Sequence, residues 1–220
     1  MQRRHFSRAV SAAAVAGAAG VGSWSVPSLA QAQAKAVEPE EFMTLEKPAP
    51  VEAGPGKIEV VEFFWYSCPH CNRFEPQFEA WVAKTGKDVV VRRAPVSFRP
   101  DFEPQQRLYY VLEALGKVEE LHKKVFYAVH MEKQALNTPA LIADWIAKQG
   151  VDKAKFMEVY NSFPVNTKAR RASQLQEIYR VDGVPSLGVA GRYFTSGALA
   201  GSMERALVVT DYLIAQSRKG

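Results

Sequence analysis

The only two cysteines of this 220-residue chain lie three positions apart, in Cys68-Pro69-His70-Cys71. The tetrapeptide follows an apolar, β-branched and aromatic stretch, Lys57–Trp65, and precedes a segment with the apolar spacing of a helix, up to about Lys84. Such patterns predict a buried strand and then a helix. Pro69 fits the first helical position, where its missing N–H has no partner to lose. The sequence therefore predicts a cysteine pair at the junction of a central strand and a helix.

Three other uses of the pair are disfavoured by its spacing and neighbours. A disulfide that closes about four residues removes only roughly 2 kcal/mol of unfolded-state entropy, against about 3 kcal/mol for fifteen residues, so it is a poor staple. A zinc site lacks ligands, because His122 and His130 are eight positions apart, further than the usual pair spacing. A c-type haem needs histidine directly after the second cysteine, and Asn72 stands there. A redox-active dithiol is the reading that remains best supported.

The positions of the two cysteines predict different acidities. Cys68 precedes the first helical turn, where unpaired N–H groups and the helix dipole favour a thiolate. His70, when charged, is a nearby cation that favours the same form. Cys71 lies one turn into the helix and is expected to be more buried, with a higher pKa. These positions predict a nucleophilic Cys68 and a resolving Cys71, and a stable Cys68 thiolate makes the disulfide form an oxidant.

The remaining elements alternate between strands and helices, with one helical block. A second strand is predicted at Asp88–Val96, and four short helices between about 102 and 163. Asn137-Thr138-Pro139 is an N-cap signal for one of these helices, and Asp152 is the predicted cap of the next. A helix over Asn166–Val181, a hairpin around Gly191-Arg192 and a last helix over Ser202–Gln216 follow. This order predicts an α/β fold, a mixed central sheet flanked by helices, with an inserted helical subdomain.

The N-terminus has the pattern of a cleaved export signal, which we assign to residues 1–34. A basic start, QRRHFSR, is followed by an uncharged run, Ala9–Ala30, and by Ala-x-Ala cleavage options. A membrane-spanning helix is disfavoured by three glycines up to residue 22 and by Pro27. Arg3-Arg4 resembles a twin-arginine signal, and ordinary secretion fits equally well. Residues 35–41 are expected to be a flexible leader.

Charge says little about partners. The chain carries 28 basic and 23 acidic residues, and without residues 1–34, which hold three arginines and no acid, the excess falls from +5 to about +2. No basic stretch exceeds two residues, so a nucleic-acid partner is not expected.

The segment VVEFFWYSCPHCNRFE, residues 60–75, resembles the active site of the DsbA family of periplasmic thiol–disulfide oxidants. Thr44-Leu45-Glu46-Lys47-Pro48, Asn161-Ser162-Phe163 and Gly183-Val184-Pro185 match further family patterns in order and spacing. The resemblance covers about residues 42–216. It implies a thioredoxin-like domain formed by residues 42–101 and 164–220, with the helical subdomain inserted at 102–163.

The resemblance also assigns roles to individual residues. Val184–Pro185 is expected to form a cis peptide bond beside Cys68, with the Val184 backbone pairing with an extended substrate. Glu62, an acid in an apolar strand, is expected beneath the cysteines, where it assists proton transfer, and Arg93 is a plausible ion partner. A polar sheet edge is the other possibility for Glu62. Trp65 and Tyr66 either line the peptide groove or pack in the core.

The implied activity is oxidation of cysteines in newly exported, unfolded proteins in the periplasm. The implied reoxidant is an inner-membrane, quinone-linked protein of the DsbB type. We expect a monomer without metal, and no cofactor besides the Cys68–Cys71 disulfide. Two alternatives stay open: a reductase or isomerase of the same fold, and a copper chaperone that binds Cu(I) through the two thiolates and His70.

Overall fold

The computed structural model describes residues 35–219, so the predicted signal at 1–34 lies outside the described residues. The strands are β1 (Met43–Thr44), β2 (Ile58–Phe64), β3 (Val89–Pro95), β4 (Ser186–Val189) and β5 (Tyr193–Ser196). The helices are α1 (Pro69–Val82), α2 (Glu103–Ala114), α3 (Val118–His130), α4 (Pro139–Lys148), α5 (Lys153–Tyr160), α6 (Phe163–Ile178), α7 (Gly197–Ala200) and α8 (Met203–Ser217). A single 3₁₀ turn, Pro100–Phe102, precedes α2.

The five strands form one mixed sheet in the order β1-β5-β4-β2-β3. β2 pairs in parallel with β3 and antiparallel with β4, and β5 is antiparallel to both β4 and β1. All seven residues of β2 are buried, as expected for an interior strand of a sheet covered on both faces. Five of them are apolar, and the exceptions are Glu59 and Glu62. The predicted mixed sheet, with β2 in its interior, is confirmed.

The helical block between β3 and β4 follows the predicted capping signals. The side chains of Thr138 and Asp152 accept hydrogen bonds from backbone N–H groups in the first turns of α4 and α5. The start predicted for α6, Asn166, is wrong by three residues. Ser162 caps that helix instead, and Pro164 lies in its first turn. The helix also ends at Ile178 rather than at Val181, because Arg180 takes a left-handed conformation (φ 52°).

The predicted hairpin is confirmed, with Gly191 in the left-handed region (φ 65°) between β4 and β5. A Cβ on Gly191 would lie 2.6 Å from the backbone oxygen of Ala49, so the turn requires glycine. The sequence reading missed β1 and α7, which are two and four residues long and too short for a periodic pattern.

The segment 35–41, expected to be a flexible leader, is mostly exposed but contacts the domain at Ala36 and Glu41. The side chain of Ala36 is buried, and the backbone oxygen of Glu41 accepts a 2.6 Å hydrogen bond from Thr195. The Glu41 carboxylate also accepts two hydrogen bonds from the Arg205 guanidinium in α8. These contacts fix the segment at the sheet edge, next to β5.

The site lies where the sheet meets the inserted helices. Phe64, Tyr66, Cys68 and Cys71 belong to the same buried apolar cluster as the inward faces of α2, α3, α4 and α5. The cysteine pair is therefore packed against the insertion as well as against the sheet. Among residues 35–219, no helix combines the length and the apolar character needed to cross a membrane.

Candidate active site

Cys68 occupies the N-cap position of α1, as predicted. Its backbone is extended (φ −78°, ψ 117°), and Pro69 follows in the first turn. The Cys68 N–H donates to the oxygen of Trp65 at 3.0 Å, which closes a tight turn after β2. The Cys68 oxygen accepts from Asn72 N–H at 3.1 Å, which begins the helical hydrogen bonds. The strand, the turn and the helix start together hold the Cys68 sulfur at the end of the sheet.

The two thiols are free in the structure and differ in burial and acidity. Cys71 is completely buried, whereas Cys68 is 8% exposed. The pKa of Cys68 is lowered to about 6, chiefly because the Cys71 thiol donates to it and also because backbone N–H groups of Cys71 and His70 point at it. Burial raises the pKa of Cys71 well above its ordinary value. The arrangement favours a Cys68 thiolate beside a protonated Cys71.

His70 contributes less to the Cys68 thiolate than its position in the sequence suggests. Its imidazole is exposed, and the Nδ1 accepts a 2.8 Å hydrogen bond from the Arg73 guanidinium, which can only donate. The charge of His70 is the smallest of the influences that lower the Cys68 pKa. The thiol of Cys71 and the backbone N–H groups of Cys71 and His70 lower this pKa more.

The loop before β4 lies against the reactive sulfur. The Val184–Pro185 peptide bond is cis, as expected, and the Cys68 Sγ donates to the Val184 oxygen at 3.3 Å. A cavity of about 390 Å³ opens beside this loop, bordered by His70, Pro185, Ser196 and Met203. The cavity leaves room for an extended chain along the Val184–Pro185 loop.

A buried cluster of charges lies beneath the cysteines. Glu62 is 1% exposed, and its carboxylate accepts a 2.9 Å hydrogen bond from the Nε of Arg93. The Arg93 Nη2 also donates to Glu75 at 2.8 Å and to Glu79 at 2.9 Å. The predicted Glu62–Arg93 pair is present, and the polar-edge alternative for Glu62 is wrong because the side chain is enclosed.

The carboxyl groups of this cluster have very different pKa values. Burial raises the pKa of Glu62 to about 8 against the opposing charge of Arg93, and the charge of Glu75 adds to the rise. Partial burial opposes ionisation of Glu79, but hydrogen bonds from Lys123 and Arg93 lower its pKa to about 2. Glu62 is thus the member of the pair Glu62 and Glu79 that holds a proton at neutral pH. Burial is the main cause of the raised pKa of Cys71, and the Glu62 carboxylate adds to it once Glu62 has lost its proton.

Trp65 and Tyr66 have different surroundings. Trp65 is partly buried and stacks on Phe102 with ring centroids 3.8 Å apart. Trp65 and Val184 both pack against the buried cluster that contains Phe102. Tyr66 is fully buried, and its ring packs against Phe126. Of the two alternatives for Tyr66, core packing is therefore confirmed and a place in the peptide groove is wrong, whereas Trp65 stays a candidate for the groove.

The sequence reading missed several polar residues around the cysteines. Glu75 and Glu79 share one face of α1 because they are four residues apart, a spacing that was visible in the sequence. Gln105, His122 and His130 come from the inserted helices, and no local pattern links them to the cysteines. Among residues 35–219, no three His, Cys, Asp or Glu side chains are grouped so that they could hold a metal ion.

Comparison with known proteins identifies the family. Residues 59–204 match the model of the DSBA-like thioredoxin domain. The chain belongs to the DsbA family. It is 45% identical to a thiol:disulfide interchange protein DsbA of Burkholderia cepacia over 177 residues, which are 80% of this chain and 84% of the relative. The protein of the same name from Bordetella parapertussis is 43% identical over the full length of both chains.

Solved structures of the DsbA family agree with this assignment. The crystal structure of Pseudomonas aeruginosa DsbA superposes with a TM-score of 0.77 at 41% identity, and the match covers 82% of this chain and 93% of that one. Membership of the DsbA family confirms the predicted thioredoxin-like fold with its helical insertion. It also confirms that the chain is a thiol:disulfide oxidoreductase.

Proposed function

We propose that this DsbA-family chain works in the oxidising direction and donates its Cys68–Cys71 disulfide to cysteines of newly exported, unfolded proteins. The observation that carries the proposal is the difference in acidity, with a Cys68 pKa of about 6 beside a buried Cys71 whose pKa is raised. A stabilised thiolate favours the reduced pair over the disulfide. The disulfide form consequently accepts electrons readily from substrate thiols.

In the first step a substrate thiolate attacks the Cys68 sulfur. A bond forms between the substrate sulfur and Cys68, the Cys68–Cys71 bond breaks, and its electron pair leaves on Cys71. Because its pKa is high, the Cys71 thiolate takes up a proton. Glu62, with a pKa of about 8, holds a proton at neutral pH and is the group that we assign to supply it.

In the second step another substrate thiolate attacks the substrate sulfur of the mixed disulfide. The substrate disulfide forms, and Cys68 leaves with the electron pair. A thiolate with a low pKa is a good leaving group, so the Cys68 environment speeds this release. The substrate has then lost two electrons, which the reduced Cys68–Cys71 pair holds.

The surroundings of Cys68 give the other residues their proposed roles. Pro69 starts α1 and aligns the N–H groups that stabilise the thiolate, one of which is the backbone N–H of His70. The Val184 backbone pairs with an extended substrate next to Cys68, and Pro185 shapes this loop. Trp65 supports the loop from the side of Phe102 and contributes apolar surface to the peptide groove.

The proposed compartment is the periplasm, supported by the export-type sequence at 1–34 and by the naming of the relatives as DsbA proteins. There the two electrons pass to an inner-membrane, quinone-linked reoxidant of the DsbB type. We propose that the protein acts as a monomer, without a metal and without a nucleic-acid partner.

The direction of the reaction is tested with a reduced peptide that contains two cysteines. The oxidised protein is mixed with one equivalent of this peptide, and a Cys71→Ser variant serves as control because it cannot carry the disulfide. We expect rapid, stoichiometric formation of the peptide disulfide by the oxidised protein and none by the variant. A peptide that stays reduced, together with efficient reduction of insulin when electrons are supplied, would assign the chain to the reductase or isomerase alternative.

A further inference from the structure

The loop that carries Cys68 is held by histidines of the inserted helix α3. The His130 Nε2 donates to the backbone oxygen of Tyr66 at 2.8 Å. The Tyr66 hydroxyl forms a 2.8 Å hydrogen bond with the His122 Nδ1. These histidines are eight residues apart, a little over two helical turns. One helix therefore holds both ends of Tyr66, which lies two residues before Cys68.

The partner of His130 defines which of its ring nitrogens carries hydrogen. A carbonyl oxygen only accepts, so the His130 Nε2 is the donor to Tyr66. The His122 Nε2 lies 3.4 Å from the Glu75 carboxylate and makes no hydrogen bond to the described residues. The Tyr66 hydroxyl can donate to the His122 Nδ1 or accept from it. Burial lowers the pKa of His122, which keeps the ring neutral in this arrangement.

A third side chain of the insertion holds the next residue of the loop. The Ser67 N–H donates to Gln105 Oε1 at 3.1 Å, and Gln105 Nε2 donates back to the Ser67 hydroxyl at 2.8 Å. The Gln105 amide also donates to the backbone oxygen of Leu136 at 2.9 Å. Gln105 is 2% exposed, so its geometry is fixed by the surrounding helices.

Buried polar side chains are a weak source of stability, because the loss of hydration offsets most of what their hydrogen bonds contribute. Their hydrogen bonds are directional, however, and define the position of whatever they hold. Here they hold two consecutive residues, Tyr66 and Ser67, directly before the reactive Cys68. These hydrogen bonds are therefore better explained by a role in positioning Cys68 than by a role in stabilising the fold.

We propose that His122, His130 and Gln105 form a clamp through which the inserted subdomain positions Cys68 for thiol–disulfide exchange. The three are positioning residues, since each acts through Tyr66 or Ser67 and none touches the reacting sulfur. The proposal rests on the proposed function, because it assigns the insertion a part in the oxidation chemistry of the same site. It gives the helical insertion a task in addition to enclosing the core.

The test compares two substitutions of one clamp residue in the full chain. His130→Gln keeps a donor near the position of the Nε2, whereas His130→Leu fills similar space without a donor. Thr138→Ala is the matched control, since it removes the cap of α4 and weakens the insertion without touching the loop. For each protein, thiolate absorbance gives the pKa of Cys68, and peptide oxidation gives kcat and KM separately.

We expect His130→Leu to lower kcat about tenfold with KM within about twofold, since small displacements of a reacting group cost rate rather than binding. The pKa of Cys68 should rise by about half a unit or more as the helix-start donors lose alignment. In His130→Gln, both kcat and the pKa of Cys68 should stay close to those of the unaltered chain. Thr138→Ala should lower the unfolding midpoint in urea and leave kcat and the pKa of Cys68 unchanged.

The clamp is overturned if His130→Leu and His130→Gln give the same Cys68 pKa and kcat, or if Thr138→Ala changes them as much as His130→Leu. Should His130→Leu fail to fold, Tyr66→Phe makes the same comparison, because it removes only the hydroxyl that His122 holds. An equal pKa and kcat in Tyr66→Phe and the unaltered chain would then contradict the proposal. If the unaltered chain fails to oxidise the peptide, the proposed function fails, while thiolate absorbance still decides on the clamp.

Discussion

The thiol of Cys68 and the backbone of Val184 are in contact, with the Sγ donating to the carbonyl oxygen at 3.3 Å. The two residues are 116 positions apart in the chain, and the contact places the reactive sulfur beside the backbone proposed to bind substrate. A thiolate has no hydrogen to donate, so this contact belongs to the protonated form. The low pKa of Cys68 must therefore come from other groups. These are the Cys71 thiol and the backbone N–H groups at the start of α1, which donate to the Cys68 sulfur.

The first prediction concerns the source of the Cys68 acidity. Cys71→Ala removes the donor with the largest effect and should raise the pKa of Cys68 more than His70→Ser does. We expect His70→Ser to raise this pKa by about half a unit, leaving it below the free-thiol value near 8.5. Thiolate absorbance of the reduced variants measures both shifts. A larger rise in His70→Ser than in Cys71→Ala would contradict this ranking.

The second prediction concerns Glu62 and pH. The folded pKa of Glu62, about 8, lies above the unfolded value near 4.3. Folded protein therefore binds a proton that unfolded protein has lost, and stability falls as pH rises from about 4.3 to about 8. Glu62→Gln removes this pH-dependent fall in stability, because the glutamine side chain does not ionise. In the oxidised protein it should raise the free energy of unfolding by about 1–3 kcal/mol at pH 8.5 and by much less at pH 5.

Urea unfolding at the two pH values measures this difference. Glu120→Gln, at an exposed acid in α3, is the control and should have little effect at either pH. A benefit of Glu62→Gln that is equal at pH 5 and pH 8.5 would show that the substitution acts through packing instead of through the proton on Glu62.

The third prediction concerns Arg93, on which three carboxylates converge. Arg93→Met leaves the buried Glu75 without a positive partner and Glu62 without a hydrogen-bond donor, which should cost about 3–5 kcal/mol of unfolding free energy at neutral pH. Adding Glu62→Gln and Glu75→Gln should recover much of this loss. Urea titration of the single and triple variants tests it, and a triple variant no more stable than Arg93→Met would contradict the account of the cluster.

The fourth prediction concerns the segment before β1. Glu41 accepts two hydrogen bonds from Arg205 and its pKa is lowered by them. Glu41→Gln should lower the free energy of unfolding by about 1 kcal/mol, as expected for a charge-assisted pair that is partly shielded from water. Glu40→Gln, at the exposed neighbouring acid, is the control. Equal stability of the two variants would support a flexible leader after all.

The sequence predicted the features of the fold and site that depend on neighbouring residues or adjacent strands. The buried strand β2, the helix start at Pro69 and the caps Thr138 and Asp152 follow from local patterns. The Glu62–Arg93 pair follows from strand pairing, because the two residues are directly opposite in the parallel register of β2 and β3. In each case the chemistry of a short segment fixes the contact.

The features that were missed depend on the packing of distant elements. Strand β2 ends before Tyr66, so the alternation of side chains between the two faces of the strand does not predict where the Tyr66 ring points. In the structure the ring packs inward against α3. The contact of Glu41 with Arg205 spans 164 residues, and the clamp joins residues between 38 and 64 positions apart. These arrangements need the relative placement of the helices, which no local spacing provides.

The central claim is that the protein is an oxidant because the Cys68 thiolate is stabilised in the reduced form. The most direct test is a pH titration of the reduced protein, following thiolate absorbance with Cys68→Ser as control. The structure predicts a pKa for Cys68 of about 6, and the signal should vanish from this range in Cys68→Ser. A Cys68 pKa at or above about 8, close to that of an ordinary thiol, would contradict the claim.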